Sequence, residues 1–378
     1  MDGGHIRERN GAYKVIIELG RDPKTGKRKQ KWLGTYKTKR EANKALIDAL
    51  AKKNANDFIL PTKVTVKEFL ELWCEKYAKT LSPTTYVGYK GIIDNHLVPS
   101  LGRLELQKLK PAHIEDYYNS KSNELKGKTL LQHHRILRKA MDYAWKNQYI
   151  TKNPVDMVNA PKVTKYKSEV LTPIDVKRLL NLVAETHFKI PVNLAIGLGL
   201  RLGEILGLRW EDVDFINDTI SINQTLVRAG TELIFKDPKT DLSKRTLSVP
   251  KELMNILKNH ETEQKKLVIK DATSSTNDKD FFNSHNLVCT NSSGGPLNTS
   301  TFSHAFGDFI KKNDFPHIRF HDLRHTNATL MLLAGTPAKV ASDRLGHSTI
   351  HITMDLYSHV LTDMNEDAAN KLNSVIYK

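Results

Sequence analysis

His317–Val360 reads HIRFHDLRHTNATLMLLAGTPAKVASDRLGHSTIHITMDLYSHV, and the rest of the chain can be read as bringing a substrate to it. His321 and Arg324 stand three residues apart, His347 follows a Leu-Gly pair, and Tyr357 comes ten residues later. A tyrosine supplies a nucleophile, and fixed cations and histidines can neutralise charge on an attacked phosphodiester without a metal ion. The spacing puts His321 and Arg324 on one face of a helix opened by Phe320-His321-Asp322. His325 adds an H-x-x-x-H spacing, which invites a zinc-hydrolase reading. That reading lacks its general-base glutamate, and an arginine inside the motif would repel Zn²⁺, so His325 is taken as structural.

Two stretches upstream also carry cations. Arg201 sits in GLGLRLGEILGLRW, where the apolar periodicity predicts one buried helix over Pro191–Trp210. Arg201 and Glu204 would share a face of it, and a buried arginine must be paired or hold an anion. Lys239 falls in a turn, KDPKTDLSKRTLSV, between two strands, where a lysine is usually just solvated and spacing alone gives it no role; Lys244 and Arg245 are competing candidates for contacts to DNA. Asp212 and Asp214 read as helix-end and turn residues, not as metal ligands.

Composition narrows the partner. The chain has 378 residues, 39% hydrophobic and 26% charged, enough for two or three domains with real cores. No window approaches a membrane span, and MDGGHIRERN lacks the apolar stretch of a signal peptide, so a cytoplasmic protein, nucleoid-associated when bound to DNA, is expected. Cys74 and Cys289 have no metal-ligand spacing and read as reduced core thiols. The formal net charge is +16. Residues 1–60 carry 15 Lys+Arg against 7 Asp+Glu, and residues 61–165 carry 18 against 10. Residues 166–378 carry 25 of each, so the whole basic surplus lies in the first 165 residues. A surplus so confined points to a polyanionic partner, of which nucleic acid is the commonest.

The expected architecture is multidomain α+β. A small N-terminal sheet plus helix fills 1–57, a helical bundle 64–160, and a mainly α domain with a small antiparallel sheet 168–378. The alternation in Ala12–Leu19 and around Lys29–Thr35 predicts a hairpin, and Lys39–Lys53 a helix capped by Thr38. Arg21, Lys24, Lys27, Arg28, Lys29 and Lys31 line that hairpin, with Trp32 at its end either free or packed on the helix. A two-stranded ribbon fits the DNA major groove, and these cations would meet phosphates. Helices follow over Val66–Tyr77, Pro83–His96, Pro111–Ser122 and Thr129–Asn147. Beyond a second linker, a helix starts at Thr172-Pro173; strands are expected near Thr219–Gln224, Leu233–Lys236, Arg245–Val249 and Leu287–Thr290. A helix covers Lys251–Gln264, Asp271–Asp280 is a loop by composition, and the remainder is helical.

Taken in order, Arg201 in GLRLGE, Lys239 in PKT, HDLRHT, LGHS and LYSHV resemble the tyrosine recombinase (phage integrase) family over residues 168–362. VTVKEFLELWCEKY to NPVDMV looks like that family's core-binding domain. GAYKVIIELG through KWLGTYKTKREA is similar to the three-stranded arm-binding domain of integrases from temperate phages and conjugative transposons.

The resemblance implies that Tyr357 attacks the scissile phosphate to give a 3′-phosphotyrosyl bond, with Arg201 and Arg324 clamping the non-bridging oxygens. His347 adds a hydrogen bond, Lys239 protonates the leaving 5′-oxygen, His321 assists proton transfer, and Glu204 is a supporting acid. No cofactor or metal is implied. The implied partners are double-stranded attachment sites of core and arm type, three further copies of the chain in a tetramer, and an excisionase or host DNA-bending protein. Thr362–Tyr377 predicts a short helix that packs in cis or docks on a neighbouring copy. A type IB topoisomerase-like relaxase and a catalytically silent DNA-binding regulator are the alternatives, with a metal-dependent nuclease behind them.

Overall fold

The computed structural model describes residues 3–21, 25–54, 62–164, 169–237, 244–274 and 283–346, with a few isolated positions beyond. The chain divides into two compact units, Met1–Lys165 and Tyr166–Lys378.

The first unit opens with an antiparallel sheet of β1 (Gly4–Arg9), β2 (Ala12–Arg21) and β3 (Arg28–Tyr36), in that order, followed by α1 (Lys39–Asn54). Alternation on β2 turns Val15 and Ile17, both fully buried, to one face, where Ala42 and Ala49 of α1 are also buried. Thr38 caps α1 reciprocally: its hydroxyl accepts from the Glu41 N–H, and the Glu41 carboxylate accepts from the Thr38 N–H. Ile16 points the other way, and its cross-strand partners are His5 and Trp32. Trp32 is not packed on the helix: 59% of its surface is exposed, on the face opposite α1.

The helical bundle comprises α2 (Val66–Lys76), α3 (Pro83–Ile92), α4 (Val98–Leu101), α5 (Pro111–Lys121) and α6 (Gly127–Lys146) around Phe69, Trp73, Leu97, Ile114, Leu137 and Met141. The helix expected to end at His96 runs on to Leu101 through one π turn, Ile93–Leu97. Pro99 explains the widening, because its ring would clash with the carbonyl four residues back.

The second unit begins with α7 (Pro173–Val183), capped by Thr172 and Asp175 as a capping box. Then come α8 (Lys189–Leu198) and α9 (Leu202–Leu206). The single helix expected over Pro191–Trp210 is therefore broken, because Gly199 takes the left-handed conformation (φ +66°) that ends α8. Strands β4 (Val213–Asp214), β5 (Thr219–Ile222), β6 (Thr225–Ala229), β7 (Glu232–Lys236) and β8 (Arg245–Ser248) make a three-stranded sheet, β4-β5-β8, and a two-stranded one, β6-β7. The single strand expected near Thr219–Gln224 is thus two, β5 and β6. They part at Asn223-Gln224, whose side chains bond Asp212 and the Gly207 carbonyl.

Gly203 and Gly207, one turn apart, let α9 lie against β6: a Cβ at either would come within 2.8 Å of β6 atoms. Helix α10 (Lys251–Ser274) is longer than the helix expected to stop at Gln264, and carries through the start of the expected loop. In place of the strand at Leu287–Thr290 there are two isolated bridges, Arg209 to Leu287 and Thr290 to Pro296. Helices α11 (Thr299–Lys312), α12 (Asp322–Leu333) and α13 (Ala338–Leu345) close the described chain. No helix among the described residues is long and apolar enough to cross a membrane.

Candidate active site

Two arginines from distant elements meet at the C-terminal end of α13. The left-handed Gly199 reverses the chain, so Arg201 is extended (φ −74°, ψ 149°) and is the N-cap of α9, not a mid-helix residue. The sequence reading buried it; in the structure its side chain is 38% exposed, with Glu204 beneath it at 6%. Glu204 accepts from the Arg201 backbone N–H at 3.0 Å and from Nη1 at 2.7 Å. Arg201 Nη2 donates to the Gly346 carbonyl at 2.8 Å.

Arg324, on α12, is 2% exposed, and its Nη1 and Nη2 donate to the carbonyls of Gly199 and Leu345, both at 2.6 Å. Among the described residues no carboxylate pairs with it. Burial pushes its pKa down to about 9, with Arg201 adding to the effect, so it remains a cation at neutral pH. A buried charge held only by carbonyl oxygens is undercompensated. Among the described residues, its bonds to those two carbonyls use only part of its five-donor fork, and an anion is the partner that would balance it.

The last carbonyls of a helix have no intrahelical partner and carry the negative end of its dipole. In α13 three successive ones are taken by three arginines: Arg344 O by Arg245 Nε at 2.8 Å, Leu345 O by Arg324, and Gly346 O by Arg201. Gly346 sits at φ +65°, and a Cβ there would lie 3.1 Å from Arg245 Nη1. The glycine of LGHS is thus required by both backbone and space.

Arg245 is corrected by the structure. Offered as a DNA contact, it is instead internal: its side chain is 8% exposed, and Nη2 donates to Glu204 at 2.9 Å. The signal was present in the sequence, because the two-residue period of β8 places Arg245 in the same row as Leu247 and Val249, both buried. Lys244 remains exposed, 4.0 Å from Asp237. Burial alone would raise the Glu204 carboxyl, but hydrogen bonds and charge from Arg245, then Arg201, outweigh it and hold the pKa below the ordinary value.

His321 occupies the N-cap position of α12, without a side-chain capping bond, and has one side open to solvent. Its ring stands edge-on to His325, centroids 5.0 Å apart. Despite that open side, the dense surroundings of the ring lower its pKa to about 4, with His325, Arg324 and Arg201 contributing, so it is neutral at pH 7. The turn is fixed by the fully buried Asp322, which accepts from Arg319 Nε and Nη2 at 3.0 and 2.7 Å and from the Arg319 N–H. Asp212 pairs with Arg209 and Asp214 closes a turn onto Asn217, as their sequence positions suggested. Lys239, His347 and Tyr357 lie outside the described residues, as do Lys24 and all of the Thr362–Tyr377 segment but Asn373 and Ile376.

In the first unit Arg21, Lys27, Arg28, Lys29 and Lys31 are all exposed on the β2–β3 hairpin. The sheet face away from α1 carries further groups the sequence did not single out. Arg7 and Lys14 are cross-strand partners beside the His5–Ile16–Trp32 row.

Comparison with known proteins agrees with this layout. The phage integrase family model matches residues 169–364, that for the phage integrase N-terminal SAM-like domain 65–122, and that for an arm DNA-binding domain 5–53. The chain is 27% identical to a tyrosine recombinase XerC-like protein of Caldanaerobacter subterraneus subsp. tengcongensis, over 98% of each chain. It is 26% identical to the ICEBs1 integrase of Bacillus subtilis, over 97% of this chain and 98% of that one. Among solved structures, the Tn1549 transposon integrase in complex with a circular intermediate DNA superposes with a TM-score of 0.68 at 21% identity, covering 82% of this chain and 99% of that one. A lambda integrase dimer on a core site gives 0.60 at 19%, covering 94% of each.

Proposed function

The chain belongs to the phage integrase family, and on that premise we propose that it is the site-specific recombinase of a mobile element, cutting and rejoining DNA through Tyr357. One observation carries the reading: Arg201 and Arg324 converge on successive carbonyls immediately ahead of His347, and Arg324 is a buried cation without a carboxylate partner among the described residues.

In this reading the scissile phosphate takes the place of that missing anion, its non-bridging oxygens held by Arg201 and Arg324 with His347 beside them. The Tyr357 hydroxyl attacks phosphorus, the P–O5′ bond breaks, and the oxygen leaves as a 5′-hydroxyl with a proton from Lys239. The tyrosine proton goes to His321, which is neutral beforehand because its surroundings, then the charges of His325, Arg324 and Arg201, hold its pKa down. Glu204 braces Arg201. The phosphotyrosyl ester conserves the energy of the broken bond, so rejoining needs no ATP.

Residues 1–57 would serve as an arm-site module, 64–160 as the core-binding module and 168–378 as the catalytic domain. A lambda integrase tetramer on a Holliday junction, of the same fold, supports assembly of four copies on DNA. An excisionase or a host bending protein would set direction.

A nicked suicide duplex built from the junction sequences beside the chain's own gene tests the reading. The wild-type chain is expected to form a covalent adduct at full rate in excess EDTA. Dependence on a divalent metal would favour a nuclease, and adduct formation on any duplex regardless of sequence would favour the relaxase.

The arm module gives a second expected outcome. Trp32→Ala should weaken binding of arm-site DNA about tenfold, since a central exposed aromatic anchor is worth more than 1 kcal/mol at an interface. It should leave the slope of log K against log salt unchanged, whereas Lys14→Gln or Arg7→Gln should each reduce that slope by about 1. Equal effects from all three on the slope would mean that the sheet face is not the surface that meets DNA.

A further inference from the structure

Arg245 is buried, charged and yet absent from the proposed chemistry. Its position is tightly specified. Two of its nitrogens face the Glu204 carboxylate, Nη2 at 2.9 Å and Nη1 at 3.3 Å, and Nε donates to Arg344 O. Its guanidinium also fills the space over Gly346 that a side chain would need. Glu204 in turn holds Arg201 through both backbone and side chain. Arg245 therefore ties three parts together: strand β8, the N-terminus of α9 where Arg201 sits, and the end of α13 from which His347 continues.

We propose that Arg245 is a positioning residue for strand cleavage. It sets the register of the α13 terminus against α9, so that the Leu345 and Gly346 carbonyls aim Arg324 and Arg201 at one phosphate. The physical reason is the shape of the group. A guanidinium is a rigid planar fork that can meet a carboxylate with two nitrogens and a carbonyl with the third. A lysine keeps the charge but meets only one of these partners well. Without the fork, Glu204 loses one of its two cations, and the α13 carbonyls lose one of the three donors that fix them. A displacement near 1 Å in a phosphate clamp costs about 10²-fold in rate.

The inference rests on the recombinase reading, and single-turnover cleavage of the nicked duplex above separates the two. Arg245→Lys should form the covalent adduct about 10²-fold more slowly than wild type, with DNA affinity within about twofold and a cooperative melt retained. Glu204→Gln should be slowed similarly. The double variant should be no slower than the slower single by more than about threefold, because both act through one network.

Arg245→Met, if it folds, should also lose rate at acid pH. Glu204 then faces only Arg201 as a direct partner, with Arg324 nearby, and protonates more readily. A structural role would not move that limb. Wild-type cleavage by a folded Arg245→Lys, or single losses that multiply in the double variant, would overturn the inference alone. No adduct from the wild-type chain would sink the recombinase reading and the inference with it.

Discussion

Tyr357→Phe is expected to abolish the covalent adduct outright while leaving DNA affinity within about twofold of wild type. The substitution removes one oxygen atom and nothing else. If that oxygen is the nucleophile, no other group can make a phosphoester to the protein, so the loss is complete. Binding should persist because the basic surplus lies in residues 1–165, and the phosphate clamp retains Arg201 and Arg324. Denaturing gels of a 5′-labelled suicide strand, whose label stays with the 3′-phosphotyrosyl end, separate the outcomes. A labelled adduct from the phenylalanine variant would show that the nucleophile is elsewhere in the chain. Strand cleavage without an adduct would point to a water nucleophile, and with it to a nuclease. Loss of binding together with cleavage would mean that Tyr357 serves the fold and not the chemistry. The silent-regulator alternative makes the opposite prediction for the parent chain, which would give no adduct at all.

The ease of reading different parts of this chain follows from the range of the interactions that make them. Thr38 before an apolar helical pattern, and Thr172 before Pro173, are local signals, and both cap helices in the structure. The helical bundle was legible for the same reason: 3.6-residue periodicity is written within each segment. Arg201 shows the limit. Leucine and isoleucine continue on both sides of Gly199, so nothing in the periodicity marks the left-handed break that turns Arg201 from a helix-face residue into an N-cap.

The helical run that starts with α3 passes the expected end at His96 and reaches Leu101 because of a local conflict, Pro99, which widens the helix into a π turn instead of ending it. Least legible is the seat of the arginines. Besides the Glu204 carboxylate, their acceptors are backbone carbonyls of Gly199, Arg344, Leu345 and Gly346, which carry no side-chain signature. Motif order could name Arg201 and Arg324 as a pair through the family resemblance. Only the folded chain shows that both hang on the end of one short helix, and that Arg245 shares it.

Arg324→Met should separate stability from activity more sharply than any other single change. Arg324 is buried, its pKa is lowered to about 9 by burial first and Arg201 second, and it lacks a carboxylate partner among the described residues. A cation whose folded pKa lies below its unfolded value weighs against the fold at neutral pH, because the unfolded chain holds the proton more tightly. Methionine of similar length removes the buried charge but orphans the Gly199 and Leu345 carbonyls, each worth roughly 1–3 kcal/mol when left unpaired. The two effects oppose, so the melting temperature without DNA should change by only a few degrees, in contrast to the losses usual for truncating a buried residue.

Cleavage should instead fall by about 10³-fold or more, since one of two fixed cations facing the developing phosphorane charge is gone. On the recombinase reading, core-site DNA would stabilise the native chain by mass action, and part of that stabilisation would come from neutralising Arg324. The variant should therefore show a smaller DNA-induced rise in melting temperature than wild type, even where its free form melts normally. Cleavage at the wild-type rate, or an undiminished rise with DNA, would mean that the anion at this site is not the scissile phosphate.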